Sequence, residues 1–507
     1  MRDLILSVPD DERPIYLRIA EGLRAAIQAD RLRPGDRLPS TRALAAKLGV
    51  NRHTVGAAMD ELVAEGWLEA RERRSHRVSA VLPSQFFKPA AEGGPSTLER
   101  RIQWRIARRA AVFECGPPPE KADSFRYLFE SGRPDLRLFP YDEFRACLAE
   151  SLRDSPASRT GYASPAGHEA FVERLKDYLS HMRAITSREI IVTHGTQEGV
   201  FLVAQLLVRA GDRIAVEELG YGAAWDAFRA AGGELVPIRV DENGMDPDSL
   251  EAALDRHEIR LIYLTPHHQY PTTATLCPGR RMRIYELASR HQIPIFEDDY
   301  DHEFHYRCQP IAPLASNDPS ELVIYASTLS KIMFPSMRIG FMAVPDSLFQ
   351  PLTDMRAIVT RQNSAFIQDA VARWMDNGGF ERHLRRMRRT YQERRDVTVE
   401  ALQAGVDRGL PLSWSVPDGG MALWLDCHAD SDRIAREAAR LGVFVTPESM
   451  YQPGTRRPGT HIRLGFASQN PEEIRAGIEL LIQAVKKVAG SAVDSTTPLT
   501  AWPGTGT

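Results

Sequence analysis

Seven short apolar runs, rich in β-branched residues, recur between residues 189 and 344: EIIVT (189–193), RIAVE (213–217), ELVPI (234–238), LIYLT (261–265), IPIFED (293–298), LVIYAS (322–327) and IGFMAV (339–344). Amphipathic segments of helix length separate most of them. Near-continuous apolar runs predict strands covered on both faces, and their alternation with helices predicts an α/β domain with a mostly parallel seven-stranded sheet. Beyond residue 350 helical periodicity dominates, interrupted by short strand patterns such as MALWLD (421–426) and HIRLGF (461–466). That change of period predicts a smaller C-terminal α+β subdomain.

The N-terminal block, residues 11–80, is helical instead. Pro14 is placed to open a helix at its first position, and Tyr16, Ile19, Leu23 and Ile27 then recur on one face. RPGDRLPS (33–40) carries turn chemistry, and Ser40 is an N-cap for TRALAAKLG, whose Leu44 and Leu48 face inward. Gly49 ends that helix, and Asn51 caps the next, RHTVGAAMDELVAEG, with Val55, Met59, Leu62 and Val63 inward. Helix, tight turn and capped helix describe a helix-turn-helix, in which the start of the second helix enters the DNA major groove. Arg52, His53 and Thr54 sit at that start, and Arg42 lies one helix earlier, near the phosphate backbone it would cross. WLEARERRSHRVSA (67–80) reads as a two-stranded wing with Arg73, Arg74, His76 and Arg77 at its tip, within reach of phosphate or a minor groove.

Residues 81–120 change character: VLPSQFFKPAAEGGPST and CGPPPE have linker composition. Within them LERRIQWRIARRA (98–110) is a short basic amphipathic helix candidate, either a solvated linker helix or a second contact to DNA phosphate or a neighbouring domain. The organisation expected is therefore a DNA-reading block at 11–80, a linker at 81–120, an α/β domain at 121–487 and a tail at 488–507 without a periodic core.

A chain of 507 residues suits several folding units. Its net charge of −3 means that any nucleic-acid contact rests on a local basic patch rather than on a basic chain. The cysteines (Cys115, Cys147, Cys277, Cys308 and Cys427) show no paired spacing, which speaks against a disulfide framework or a zinc knuckle. No apolar run is long enough to cross a bilayer and no signal-peptide pattern opens the chain, so a cytoplasmic protein is expected.

The stretch STLSKIMFPSMRIG (327–340) poses the chemical question. A lysine that forms a Schiff base with pyridoxal phosphate needs helpers of fixed type: a carboxylate for the pyridinium nitrogen, a group for the ring oxygen, an aromatic against the ring, and donors for the phosphate. Each helper has a candidate at a strand end. In HGTQEG (194–199), Gly195, Thr196 and Gln197 open a helix that can bind phosphate. Tyr221, after the strand at 213–217, is placed to stack on the ring. Asp298 ends the strand at 293–298, and Tyr300 follows it toward the ring oxygen. Ser327 and Ser330 flank Lys331, and Arg338 closes on the phosphate. His302 and His305 lack partner ligands at metal spacing, so no metal is expected.

PIYLRIAEGLRAAIQADRLRPGDRLPSTRALAAKLGVNRHTV resembles the GntR-type winged helix, with Asn51 in place of the usual serine and RRSH in place of a Gly-Ser-Gly wing turn. Residues 121–487 resemble the fold type I aminotransferases. That resemblance implies that Tyr162, in GYASPAGHEAF (161–171), is offered to a partner subunit's cofactor in a homodimer, and that Arg463, in HIRLGF, grips a ligand carboxylate. Tyr270-Pro271-Thr272-Thr273 stands where the family carries Asn-Pro-Thr-Gly, a departure that favours sensing over turnover. The combination resembles the MocR/GabR regulators. It implies a pyridoxal phosphate-dependent regulator that binds operator DNA as a homodimer, with a head-to-tail arrangement, and senses a small amine through external aldimine formation at Lys331. A working aminotransferase with a fused DNA-binding domain, or a regulator of pyridoxal phosphate supply, are the alternatives.

Overall fold

The computed structural model describes residues 6, 8–71, 75–82, 125–154, 161–306, 311–454 and 456–490. Arg73 and Arg74 of the wing, the linker beyond residue 82, the basic segment 98–110 and the tail from 491 lie outside the described residues. The chain divides into two compact units, 1–105 and 106–507.

The first unit packs helices Ile15–Gln28, Thr41–Leu48 and Arg52–Ala64 against a hairpin of Leu68–Arg71 and Ser75–Val78. Its core is the expected stripe of Ile19, Leu23, Ile27, Leu44, Val55, Met59 and Leu62, closed by Trp67, Leu68 and Val78. Val63 and Leu48 are only partly buried at its edge. Ser40 and Asn51 both cap, accepting from the backbone N–H of Ala43 and His53, and Gly49 takes the left-handed conformation at φ 66°. Pro14 serves as N-cap rather than first helical residue. The hairpin register corrects the wing: Arg71 pairs with Ser75, so His76 and Arg77 lie in the returning strand instead of at the tip.

In the second unit seven strands form one sheet in the order Glu189–Thr193, Gly340–Val344, Val323–Thr328, Ile295–Asp299, Ile259–Leu264, Arg213–Glu217, Glu234–Ile238. Only Gly340–Val344 runs antiparallel to its neighbours. It is joined to Val323–Thr328 through residues 329–339, which hold two single-turn 3-10 segments and no crossover helix, and it reverses. Helices Thr196–Leu207, Gly222–Ala230 and Asp346–Val359 cover one face. Helices Glu169–Arg183, Pro247–Arg256, Pro278–His291 and Ala365–Asp376 cover the other. Burial on both sides explains why the strand runs are continuously apolar. Arg213–Glu217 ends in the buried Glu217, and Ile295–Asp299 buries Glu297, Asp298 and Asp299. Three buried carboxyls in succession are too costly to be incidental.

After the 29-residue helix Gly379–Asp407, a four-stranded antiparallel sheet orders Ser413–Trp414, Ala422–Asp426, His461–Gly465 and Thr446–Pro447. This is the expected α+β subdomain, backed by helix Pro471–Ala489 with an Asn470 capping box. Tyr127–Leu128, from the beginning of the unit, pairs in parallel with Val443–Phe444. That link brings residues 130–132 to the sheet edge where the site forms. No helix among the described residues is long and apolar enough to cross a membrane.

Candidate functional site

Beyond the carboxyl edge of the sheet lies a cavity of about 250 Å³, the position where open α/β sheets place ligands. Lys331 lines it from the short turn Leu329–Lys331 that follows strand Val323–Thr328. Asp298 and Tyr300 enter from the neighbouring strand, and Tyr221 enters from the start of helix Gly222–Ala230. Gly195, Thr196 and Gln197 supply one wall from the start of helix Thr196–Leu207. Ser330 and Arg338, also expected from the sequence, line it as well.

Asp298 is the electrostatic centre. Tyr263 donates to its Oδ2 at 2.8 Å, while Oδ1 is buried with no hydrogen-bond partner among the described residues. Burial pushes its pKa up to about 7, with Asp299 adding to the rise and Tyr263 and Lys331 opposing it. A carboxyl in this state accepts a cationic N–H readily, because a partner charge would relieve its desolvation. The helix start is an anion cradle. Gly195 has φ 80°, and a Cβ there would stand 3.2 Å from the Arg338 guanidinium. Arg338 is held by donating to the His194 carbonyl. Thr196 Oγ1, which can donate, is buried without a hydrogen-bond partner among the described residues, and the first N–H groups of a helix have no partner within it. Gly132, at φ 68°, lies against Lys331: a Cβ would stand 2.9 Å from Nζ. Lysine, orphaned carboxylate oxygen, aromatic wall and anion cradle therefore fit pyridoxal phosphate.

Ser327 is not brought to the cavity. Asp298 pairs in register with Ala326 and Asp299 with Ser327, and strand side chains alternate, so Ser327 faces away. Its hydroxyl donates to the Asp299 carbonyl at 2.7 Å. Thr328, one residue on, lines the cavity instead and bonds Ser330 Oγ at 2.9 Å. Tyr162 also stands apart, 81% exposed, with Arg361 over its ring at 4.4 Å. Arg463 is 1% exposed beside the cavity. Its guanidinium donates to Ser131 Oγ and the Pro271 carbonyl, and to Tyr300 Oη at 3.1 Å, and lies 4.5 Å above the Tyr270 ring. Among the described residues no carboxylate pairs with it, so this buried cation is balanced only by dipoles and aromatic faces. Tyr300 in turn donates to the His268 carbonyl at 3.0 Å. Tyr270, where the aminotransferase pattern has asparagine, lines the cavity and meets Tyr221 edge-on at 5.7 Å.

In the first unit Arg42, Arg52 and His53 are exposed and Thr54 is half-buried, all at the helix starts that face outward. His76 is half-buried in the returning strand. Arg77 donates to the Gly35 carbonyl at 3.1 Å, which ties the wing to the loop before the second helix.

The profile of the bacterial regulatory proteins of the gntR family matches residues 15–78, and that of aminotransferase class I and II matches residues 138–481. Across its length the chain is 33% identical, over 485 residues and 94% of each sequence, to the probable rhizopine catabolism regulatory protein MocR of Rhizobium meliloti. The chain belongs to the MocR-type transcriptional regulators. Within that type it is 30% identical to the HTH-type transcriptional regulator TauR of Rhodobacter capsulatus, over 94% of this chain and 98% of that one. The aminotransferase-like unit of this MocR-type chain superposes on the kynurenine aminotransferase of Pyrococcus horikoshii, solved with PMP, with a TM-score of 0.67 and 27% identity, covering 72% of this chain and 92% of that one.

Proposed function

We propose that this chain is a regulator that holds pyridoxal phosphate on Lys331, senses a small amino compound there, and transmits the change to operator DNA through the winged helix. The observation that carries the reading is the buried, unpartnered Oδ1 of Asp298 in the same cavity as Lys331. Bound there, the cofactor supplies an electrophilic carbonyl carbon and an electron-withdrawing ring. Asp298 receives the ring N–H and keeps that nitrogen protonated. The start of helix Thr196–Leu207, with Ser330 and Arg338, holds the phosphate. Tyr221 covers one ring face, and Tyr300 serves the ring oxygen. Arg463 draws an acidic group of the effector toward Tyr300 and orients its amine. Pyridoxal phosphate would supply the carbon for which the effector amine and Lys331 compete, and Lys331 would take up the proton given up by the incoming ammonium, in the cavity it shares with Asp298. Charge and packing at the edge of the sheet change together. A ligand shifts the DNA-binding equilibrium only by its differential affinity for two states, and this exchange is the source of the difference.

Arg52, His53 and Thr54 read base edges, while Arg42, Arg74 and His76 contact phosphate. Tyr162 reaches the partner subunit's cavity in a homodimer, consistent with its exposure. The reading places the protein with DNA, in the cytoplasm. The test is fluorescence anisotropy of operator DNA against wild type and Lys331→Ala, each loaded with pyridoxal phosphate, across a panel of amino acids, γ-amino acids and aminosulfonates. One amine is expected to change the affinity or footprint of wild type only. Equal responses in both proteins, or none with any amine, would sink the proposal. Release of a keto acid with full conversion of the cofactor to its amine form would identify a working aminotransferase instead.

A further inference from the structure

Behind the strand that carries Asp298, three side chains from separate segments converge. His267 follows strand Ile259–Leu264, Asp299 ends strand Ile295–Asp299, and His302 lies in the turn beyond it. All three are buried, and one ligand-type atom of each lies within 4.8 Å of the others. His302 Nδ1 stands 3.0 Å from Asp299 Oδ2. The His267 and His302 rings are tilted with centroids 4.3 Å apart. The sequence offered His302 no ligand partners; the fold supplies two.

Beyond the Nδ1 contact to Asp299, Nε2 of His302, Nδ1 of His267 and Oδ1 of Asp299 are buried without hydrogen-bond partners among the described residues. Asp299 is tied through Oδ2, which accepts from Tyr325 Oη at 2.7 Å. So many unpartnered polar atoms at one buried point ask for an occupant. A proton on His302 would serve one nitrogen and one carboxylate oxygen and leave His267 idle. A divalent cation serves all three side chains at once. Two imidazoles and one carboxylate form the N,N,O donor set that zinc and similar borderline metals take, whereas calcium and magnesium prefer oxygen alone. Of the cations that face the cluster, Arg183 pairs with Glu303 and Arg281 donates to the carbonyls of Leu276, Pro266 and Ala312.

We propose that His267, Asp299 and His302 bind a zinc-like divalent metal that fastens the turn after Asp298 to the end of strand Ile259–Leu264. None of the three lines the cofactor cavity, so the proposal goes beyond the cofactor reading and does not depend on it. Its consequence does touch the cavity, because Asp298 and Tyr300 flank Asp299 in the chain.

The test uses the full chain, stripped with a chelator and then titrated with Co²⁺ and Zn²⁺ at micromolar concentration. Cofactor content is followed separately, so the two readings fail independently. Wild type is expected to bind one equivalent of Co²⁺ with visible ligand-field bands, to lose them to Zn²⁺, and to melt at higher temperature with Zn²⁺. His302→Asn is expected to abolish the bands. His305→Asn is expected to keep them, since His305 is engaged with the His302 carbonyl at 3.1 Å and stands outside the cluster. Failure of wild type to take up stoichiometric metal overturns the proposal, even where His302→Asn does not fold. Bands unchanged in a folded His302→Asn overturn it equally.

Discussion

Asp298→Asn in the cofactor-free protein isolates the electrostatics of the cavity. Asp298 is 4% exposed, and burial pushes its pKa up to about 7. In the unfolded chain a carboxyl of this type titrates near the ordinary value of 3.8. The folded value is the higher one, so the native state holds its proton more tightly. The stability this contributes is fully present below about pH 4 and is lost as pH rises through about 7. A shift of roughly three units corresponds to about 4 kcal/mol, of which about 3 kcal/mol is lost between pH 5 and pH 8. Asparagine has nearly the same shape, can accept the Tyr263 hydrogen bond through its amide oxygen, and never ionises. The variant should therefore gain on wild type as pH rises. For a unit of this size the gap in melting temperature should widen by about 4 °C from pH 5 to pH 8. Calorimetry resolves it, since the winged helix and the aminotransferase-like unit are separate bodies of the chain. Pyridoxal phosphate should reverse the order, because its cationic ring nitrogen pays back the ionised Asp298 and does nothing for asparagine. A gap that stays constant with pH, or a variant that melts below wild type at pH 8, would refute the reasoning.

Gly132→Ala places a methyl 2.9 Å from Lys331 Nζ at a residue with φ 68°; it should cost about 1–2 kcal/mol of backbone strain and sharply weaken cofactor retention, read by an absorbance titration. Arg463→Met should keep the cofactor while weakening an acidic amine effector by roughly tenfold or more, the worth of a charge-assisted hydrogen bond, as measured by spectral titration. Arg52→Ala should lose about 1–3 kcal/mol of operator binding and relax specificity at one position, read by anisotropy at fixed salt. Ser40→Ala removes the cap on the Ala43 N–H and should lower the stability of the winged helix by about 1 kcal/mol, read in its own calorimetric transition.

Much of this architecture was legible because the signals are local. EIIVT, RIAVE and ELVPI are strands at their expected bounds, since β-branched runs ended by turn residues leave little choice. Ser40, Gly49 and Asn51 declare their caps by type. The direction of Gly340–Val344 was hidden, because periodicity reports burial and not polarity. Ser327 was misplaced by counting distance from Lys331 rather than strand parity: Asp298 opposite Ala326 implies that Thr328, not Ser327, shares its face. Gly132 gave no signal, since it reaches the cavity through the pairing of Tyr127–Leu128 with Val443–Phe444, a contact between opposite ends of the unit. The His267, Asp299 and His302 cluster escaped for the same reason: its members belong to one strand end and two connecting segments that only the sheet brings together.

The central claim is that Lys331 is the cofactor anchor, and covalent trapping tests it most directly. Purified protein is incubated with pyridoxal phosphate, reduced with borohydride, digested and analysed by mass spectrometry. The account predicts one phosphopyridoxyl group per chain, on Lys331, with none on the peptide of Lys331→Ala. Absence of the adduct, or its random spread over other lysines with Lys331 unmodified, would contradict it.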